Sequence, residues 1–293
     1  MSLSSLEWFS SFLQNRSQSV RVNSKVSEWR TPKCGIPQGT VLGPTLLLII
    51  INDLPDHLKG EASIFADDTT VSTMGKNPIV TCENLSSDLC LAPTWATNWG
   101  MQFSAEKSEH LTIHARKGPV SPGNNGDRIS MAGVLIPAVD SHRHLGLIIN
   151  THLTWTNHID SVYTTCARKI GILNRLSHFV DKDTLARIYL GFIRPRLEYA
   201  RALWCGGNTD KIVKLQKKFC RRHGIDIVSL NVRLSYHTLL LFYQIKSKIS
   251  PTYLSSVLPR SLKESSCYNL RRTVYPVPIL NRQSPFKSFI QER

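Results

Sequence analysis

No run of apolar residues in this sequence approaches the roughly 20 that a membrane helix needs. The longest, Val41 to Ile51, is interrupted by Gly43 and Pro44 and reads as a buried helix. The seven cysteines are odd in number and include no CxxC pair, which fits neither a disulfide framework nor a zinc ribbon. They are expected to be free and mostly buried. Met1 to Gln14 lacks a basic region ahead of an apolar core, so the expectation is an intracellular protein that is not secreted. Acidic residues are scarce in one half: residues 156 to 293 hold 8 Asp and Glu against 24 Lys and Arg, whereas residues 1 to 155 hold 13 against 12. The whole formal excess of +15 therefore lies in the second half. A basic region joined to a neutral one suits a polyanion binder, because neutralised phosphates release condensed counterions. An anionic membrane surface would attract the same sign, and charge alone does not choose between them.

What is present suffices for folding. A hydrophobic fraction of 41% with 19% charged residues allows burial to offset chain entropy, and 293 residues can build two cores. Leu6, Phe9 and Leu13 predict a helix, and Val20, Val22 and Val26 a short hairpin around Asn23-Ser24. A Pro- and Gly-rich loop from Thr31 to Gly39 leads into the apolar helix that Pro55 stops. Val80 to Gly100 reads as a helix that Pro93 should kink or divide. A strand from His110 to Ala115, an exposed loop from Lys117 to Asp127 and a β-meander over Ile129 to Asn150 follow. From His158 onward the periodicity is helical, with Asp181 and Asp183 as candidate caps and further helices over Lys211 to Arg222 and Leu234 to Ile249. Charge and periodicity change together near Thr154, which places a boundary between domains 1–154 and 155–293.

The residues with chemistry in them lie early. Asp67-Asp68 stands between the strand-like flanks Ser63-Ile64-Phe65 and Thr69-Thr70-Val71, a tight hairpin with two carboxylates at its tip. Hard divalent cations favour such oxygen ligands. By itself an Asp pair is ordinary in turns. Ahead of it runs Gly35-Ile36-Pro37-Gln38-Gly39-Thr40, whose glycines allow close approach of a ligand to the backbone. In order along the chain come GIPQGTVLGP, IINDLP, FADDT, the Lys107-Ser108 pair, LGLIINTHLTWTNHI and, near the end, LSSVLP and YNLR.

With these motifs in this order the chain resembles the reverse transcriptases of non-LTR retrotransposons, of the jockey or CR1-like sort, from Trp8 through Phe289. The resemblance implies an α+β fold: a partial polymerase palm of antiparallel sheet and packed helices over 1–154, then a mostly helical basic thumb and C-terminal region over 155–293. It implies an RNA-directed DNA polymerase that acts on an RNA template and a DNA primer with dNTP substrates, uses Mg²⁺ or Mn²⁺, resides in the nucleus and needs no membrane. Asp67 would be a metal ligand, Asp68 a supporting one, and Lys107 a general acid toward the departing pyrophosphate. Gly35, Pro37, Gln38 and Gly39 would border template base and nucleotide, and Leu145-Gly146 would form the primer grip. The chemistry implied is two-metal phosphoryl transfer, which draws carboxylates from separate strands. The partner strand, with an F-x-D motif, is expected before Gly35, where only Glu7 and Glu28 are acidic; the first catalytic motif and the fingers are thus expected to be missing by N-terminal truncation. Ser104 and Asn150 also stand where the family has Asn and Asp.

Plainer readings compete at several positions. Lys211, Lys214, Lys217, Lys218, Arg221 and Arg222 share a helix and are either a solvated face or phosphate contacts, the scarcity of nearby acids favouring phosphate. Trp155, Phe192, Tyr199 and Trp204 are expected to pack in the core. A catalytically inactive nucleic-acid-binding remnant of a mobile element is the alternative to an active polymerase.

Overall fold

The computed structural model describes residues 3–32, 35–37, 39–113 and 129–258. Contacts divide them into two units, the first running to His110 and then from Ile129 to Ala138, the second comprising Leu111 to Ile113 and Val139 to Leu258. The architecture is mixed helix and strand, and among the described residues no helix is long and apolar enough to cross a membrane.

All the described strands belong to hairpins. β1 (Arg21–Val22) pairs with β2 (Lys25–Val26), β3 (Glu61–Phe65) with β4 (Asp68–Ser72), β5 (Ser130–Met131) with β6 (Val134–Leu135) and β7 (Ser141–His144) with β8 (Leu147–Asn150), each as a separate antiparallel ladder closed by a two-residue loop. The first loop residue, Asn23, Ala66, Ala132 or Leu145, takes a φ of 54, 54, 50 or 45°. A left-handed entry of this kind matches the twist of the paired strands. The expected meander is therefore two separate hairpins. The expected strand at His110 is reduced to one parallel bridge to Ala138, while Ala115 and the 117–127 loop lie outside the described residues.

In the first unit, α1 (Leu3–Leu13) stacks Trp8 on Phe12, centroids 5.6 Å apart, yet buries none of its residues. α2 (Leu42–Ile51) departs from the buried helix expected. Only Ile51 is buried and Ile49 is 65% exposed, because the core of Ile51, Leu54, Ala92, Trp95 and Ala96 covers one side of it only. α3 (Pro78–Asn98) continues without a break across Pro93. An interior proline costs about 3 kcal/mol, and here burial of the adjoining Ala92, Trp95 and Ala96 offsets that cost.

The second unit is built from α4 (Thr156–Leu176), α5 (Lys182–Phe192), α6 (Arg194–Glu198), α7 (Asp210–His223) and α8 (Leu230–Lys246). Ile159, Val162, Cys166, Ile170 and Leu173 bury one face of α4 at helical spacing, against Leu185, Tyr189, Leu197, Ile212 and Phe219 of its neighbours. Leu147 of β8 belongs to the same core, so the 141–150 hairpin shares the hydrophobic centre of the helices. Asp181 caps α5, its carboxylate accepting the Thr184 N–H at 2.6 Å, whereas Asp183 lies within the first turn. Trp155 and Trp204 are buried as expected. Phe192 and Tyr199 are not: they are 60% and 50% exposed. Phe192 lies under the Lys169 ammonium at 3.9 Å, and Tyr199 reaches the backbone of the β7–β8 loop.

Candidate functional site

The carboxylate hairpin follows from strand alternation. Ala62, Ile64, Thr69 and Val71 are half-buried and the residues between them are exposed, with Ile64 packing on the α2–α3 core. Asp67 falls in the two-residue loop and Asp68 opens β4 opposite Phe65. Both side chains are exposed and form no hydrogen bond or ion pair among the described residues. Ala66 precedes them at φ 54°, a left-handed conformation that strains a residue with a Cβ by about 1 kcal/mol.

The root of this hairpin is held more firmly than its tip. Asp88 of α3 is fully buried, and its two oxygens accept the N–H groups of Lys59 and Gly60, each at 2.8 Å. A Cβ on Gly60 would lie 2.8 Å from both the Asp88 carboxylate and the Ser72 carbonyl, so only glycine fits there. Asp53 accepts the Trp95 indole N–H at 3.1 Å and ties the segment after α2 to α3.

The glycine loop is anchored at both ends. Arg16 donates to the Leu13 carbonyl at 2.8 Å and to the Gly35 carbonyl at 2.7 Å, linking the end of α1 to the loop. The Thr40 hydroxyl donates to the Pro37 carbonyl at 2.8 Å and accepts the Gly43 N–H at 3.2 Å, so the loop's exit opens α2. Gly35 and Gly39 have φ of 86 and 78°. Gln38 lies outside the described residues. Lys107 ends a 3-10 turn, Ala105–Lys107, with its side chain exposed. Among the described residues no hydrogen bond or ion pair joins Asp67 or Asp68 to Lys107, Gly35, Pro37 or Gly39.

Two adjacent carboxylates offer oxygens suited to Mg²⁺. Among the described residues, however, no third His, Cys, Asp or Glu joins them to make a metal-holding cluster. A two-ion centre needs more, so these residues alone do not fit one.

In the second unit, Leu145 and Gly146 form the β7–β8 loop with φ of 45 and 84°. α7 buries Ile212, Val213, Gln216 and Phe219 and turns Lys214, Lys217, Lys218, Arg221 and Arg222 to solvent. These five recur at helical spacing over the nine residues 214–222, about 12 Å of helix from first to last, and make no ion pair among the described residues. Lys211 differs, since Asp160 of α4 engages it in a salt bridge. Helix geometry shows why: Asp160 is distant in sequence but faces the first turn of α7.

Several residues that organise these sites escaped the sequence reading. Asp88 had a signal: an acid spaced with Leu85, Leu89 and Ala92 on the apolar face of a helix must have a buried partner. Gln216 is similar, a buried amide that donates to the Val228 carbonyl at 3.2 Å and accepts the Leu230 N–H at 2.6 Å. For Arg16 and Glu198 no local signal exists, since their partners lie 19 and 35 residues away. Glu198 takes both arms of the Arg233 guanidinium, at 3.0 and 2.8 Å, and His237 at 2.9 Å. Burial raises its pKa, but hydrogen bonds from Arg233 and His237 outweigh that and hold it below the usual carboxylate range.

Comparison with known proteins agrees with the motifs. A family model described as reverse transcriptase (RNA-dependent DNA polymerase) matches residues 1–149. The "RNA-directed DNA polymerase from mobile element jockey" of Drosophila melanogaster is 30% identical over 226 residues, covering 72% of this chain and 24% of its own length. The "Probable RNA-directed DNA polymerase from transposon X-element" of the same organism is 23% identical with the same coverage. The "Retrovirus-related Pol polyprotein from type-1 retrotransposable element R1" of Nasonia vitripennis is 25% identical, over 61% of this chain and 55% of its own length. The chain thus spans about a quarter of the first two relatives. No solved structure matches it. With the family model covering half of the residues and these relatives agreeing in kind, the chain belongs to the reverse transcriptase (RNA-dependent DNA polymerase) family.

Proposed function

We propose that this chain is the palm-and-thumb part of an RNA-directed DNA polymerase from a non-LTR retrotransposon, extending a DNA primer on an RNA template. The carrying observation is the β3–β4 hairpin: Asp67 and Asp68 stand exposed and, among the described residues, unpaired at a tip whose root is fixed by Asp88, inside the stretch that matches the family. Reverse transcriptases as a family use divalent metals such as Mg²⁺. In this reading Asp67 and Asp68 would provide one wall of such a metal site and by themselves do not complete it. Gly35, Pro37, Gln38 and Gly39 border template and nucleotide, Lys107 neutralises the departing pyrophosphate, Leu145-Gly146 touches the primer, and the exposed cations of α7 hold backbone phosphates. Residues 1–154 act as palm and 155–293 as thumb and connection, working in the nucleus where target DNA lies.

Primer extension on an RNA template with dNTPs and Mg²⁺ or Mn²⁺ tests this. Extension that disappears in Asp67→Asn supports it, and extension that survives that substitution refutes the assignment of the pair. A second reading, nucleic-acid binding without catalysis, is favoured by the lack of a third ligand among the described residues. Salt-sensitive binding with no extension in either metal would establish it.

A further inference from the structure

The loop proposed to touch the primer is not free-standing. The Tyr199 hydroxyl donates to the Leu145 carbonyl at 2.7 Å, across 54 residues of sequence. The ring edge of Tyr199 also lies 3.5 Å from where a Cβ on Gly146 would stand, so the phenol lies alongside both loop residues. Tyr199 in turn is fixed from behind. Its carbonyl accepts the indole N–H of fully buried Trp204 at 2.9 Å, and Arg201 donates to the carbonyls of Trp204 and Cys205, each at 3.0 Å, while its guanidinium sits 4.5 Å over the Trp204 ring. The preceding residue is Glu198, clamped by Arg233 and His237 of α8. The 198–204 segment is therefore rigid at both ends, and from it half-exposed Tyr199 directs its side chain to the hairpin loop.

We infer that Tyr199 is a positioning residue for primer binding: it sets the Leu145-Gly146 loop at a fixed height over the helical unit, so that the loop meets a nucleic-acid 3′ terminus in one orientation. This rests on the reading of that loop as a primer contact. The chemistry is specific. Leu145 takes a left-handed φ of 45°, which a branched side chain adopts unwillingly. A phenol hydrogen bond to its carbonyl holds that conformation, and the Leu145 side chain, 38% exposed, stays available to a ligand.

The test uses the full chain with Tyr199→Phe, which keeps the ring against Gly146 and removes only the hydroxyl, and Leu145→Ala as the probe of the underlying reading. Amide hydrogen exchange at Gly146 and Leu147 is measured alongside the dissociation constant for a primer–template duplex with a recessed 3′ end and for the same duplex with a blunt end. The inference expects Tyr199→Phe to speed exchange at those amides at least fivefold and to weaken the recessed duplex at least threefold, with the blunt duplex and the melting temperature unchanged. Unchanged exchange overturns it. Faster exchange with unchanged recessed-end affinity also overturns it when Leu145→Ala does weaken binding. If Leu145→Ala leaves recessed-end affinity untouched, the primer-contact reading itself has failed, and the inference falls with it. Loss of affinity for both duplexes equally marks Tyr199 as merely structural and overturns it as well.

Discussion

At the scale of single residues, two buried polar atoms of the second unit, the Tyr189 hydroxyl and the Arg201 Nε, find no hydrogen-bond partner among the described residues, and His158 has a protonation preference. The Tyr189 hydroxyl is fully buried, stacked on Phe219 at 4.8 Å, and finds no hydrogen-bond partner among the described residues. Burial drives its ionisation far above the ordinary tyrosine value. An unsatisfied buried hydroxyl costs about 1–3 kcal/mol, so Tyr189→Phe is expected to stabilise the chain by about 1 kcal/mol, read as a rise in denaturation midpoint with an unchanged slope. His158 is buried and lies with Nδ1 3.4 Å from the Ile148 N–H, a geometry that calls for a neutral ring accepting at that nitrogen. Burial, then Arg196 and Arg143, push its pKa below 6.5. The unfolded chain therefore binds this proton more readily than the folded one. The stability it contributes is complete above pH 6.5 and is lost as the pH falls through the lowered value. Melting temperature should drop on acidification from pH 6.5 down through that lowered value, and less steeply in His158→Gln. Some slope will remain, since burial, Arg222 and His178 lower His223 in the same direction.

At the scale of elements, α7 offers the sharpest prediction. Its five exposed cations meet solvent along one face while the opposite face is fixed in the core, so replacing them alters charge without disturbing packing. Every phosphate that goes unneutralised lowers the slope of log affinity against log salt by roughly 0.9 for duplex nucleic acid. Changing Lys214, Lys217, Lys218, Arg221 and Arg222 together to Ala should reduce that slope by several such steps at unchanged helix content, as measured by fluorescence anisotropy over a salt series. An unchanged slope would remove α7 from the interface. Lys211→Ala should act differently, because its ammonium is already engaged by Asp160. Elements were also what the sequence conveyed best. The hairpin around Asp67, the helices from His158 onward and the basic face of α7 follow from local periodicity and turn residues. What stayed hidden depended on distance along the chain: Asp160 on Lys211, Glu198 on Arg233, Tyr199 on Leu145. Pro93 was misleading for a related reason, since a local rule about helix breaking was overridden by tertiary burial of its neighbours.

At the scale of the whole molecule, apolar surface is plentiful. Val41 is 92% exposed, Leu3 80%, Ile49 65% and Phe65 64%, and along α8 Val232, Tyr236, Leu239 and Tyr243 are each more than half exposed at heptad-like spacing. Patches of this kind mark surfaces that associate. The isolated chain should therefore bind a hydrophobic dye and form concentration-dependent assemblies in sedimentation; a dye-silent, monodisperse sample would contradict that. The motifs made the family legible in the sequence, because they depend on residue types at short spacing. The burial of α2 was not legible, because a run of apolar residues specifies a need for cover and not the neighbour that supplies it.

The two-residue loops of the four described hairpins have a bearing on how the protein is made. Each ladder can zip within roughly microseconds once its own dozen or fewer residues are available, and is then consolidated when later elements pack on it, as α3 does on the β3–β4 root. A ribosome adding some 5–20 residues per second thus gives each described strand pair ample time to sample its register, and the turn bearing the two acids can form long before the helices downstream of α3 have been translated.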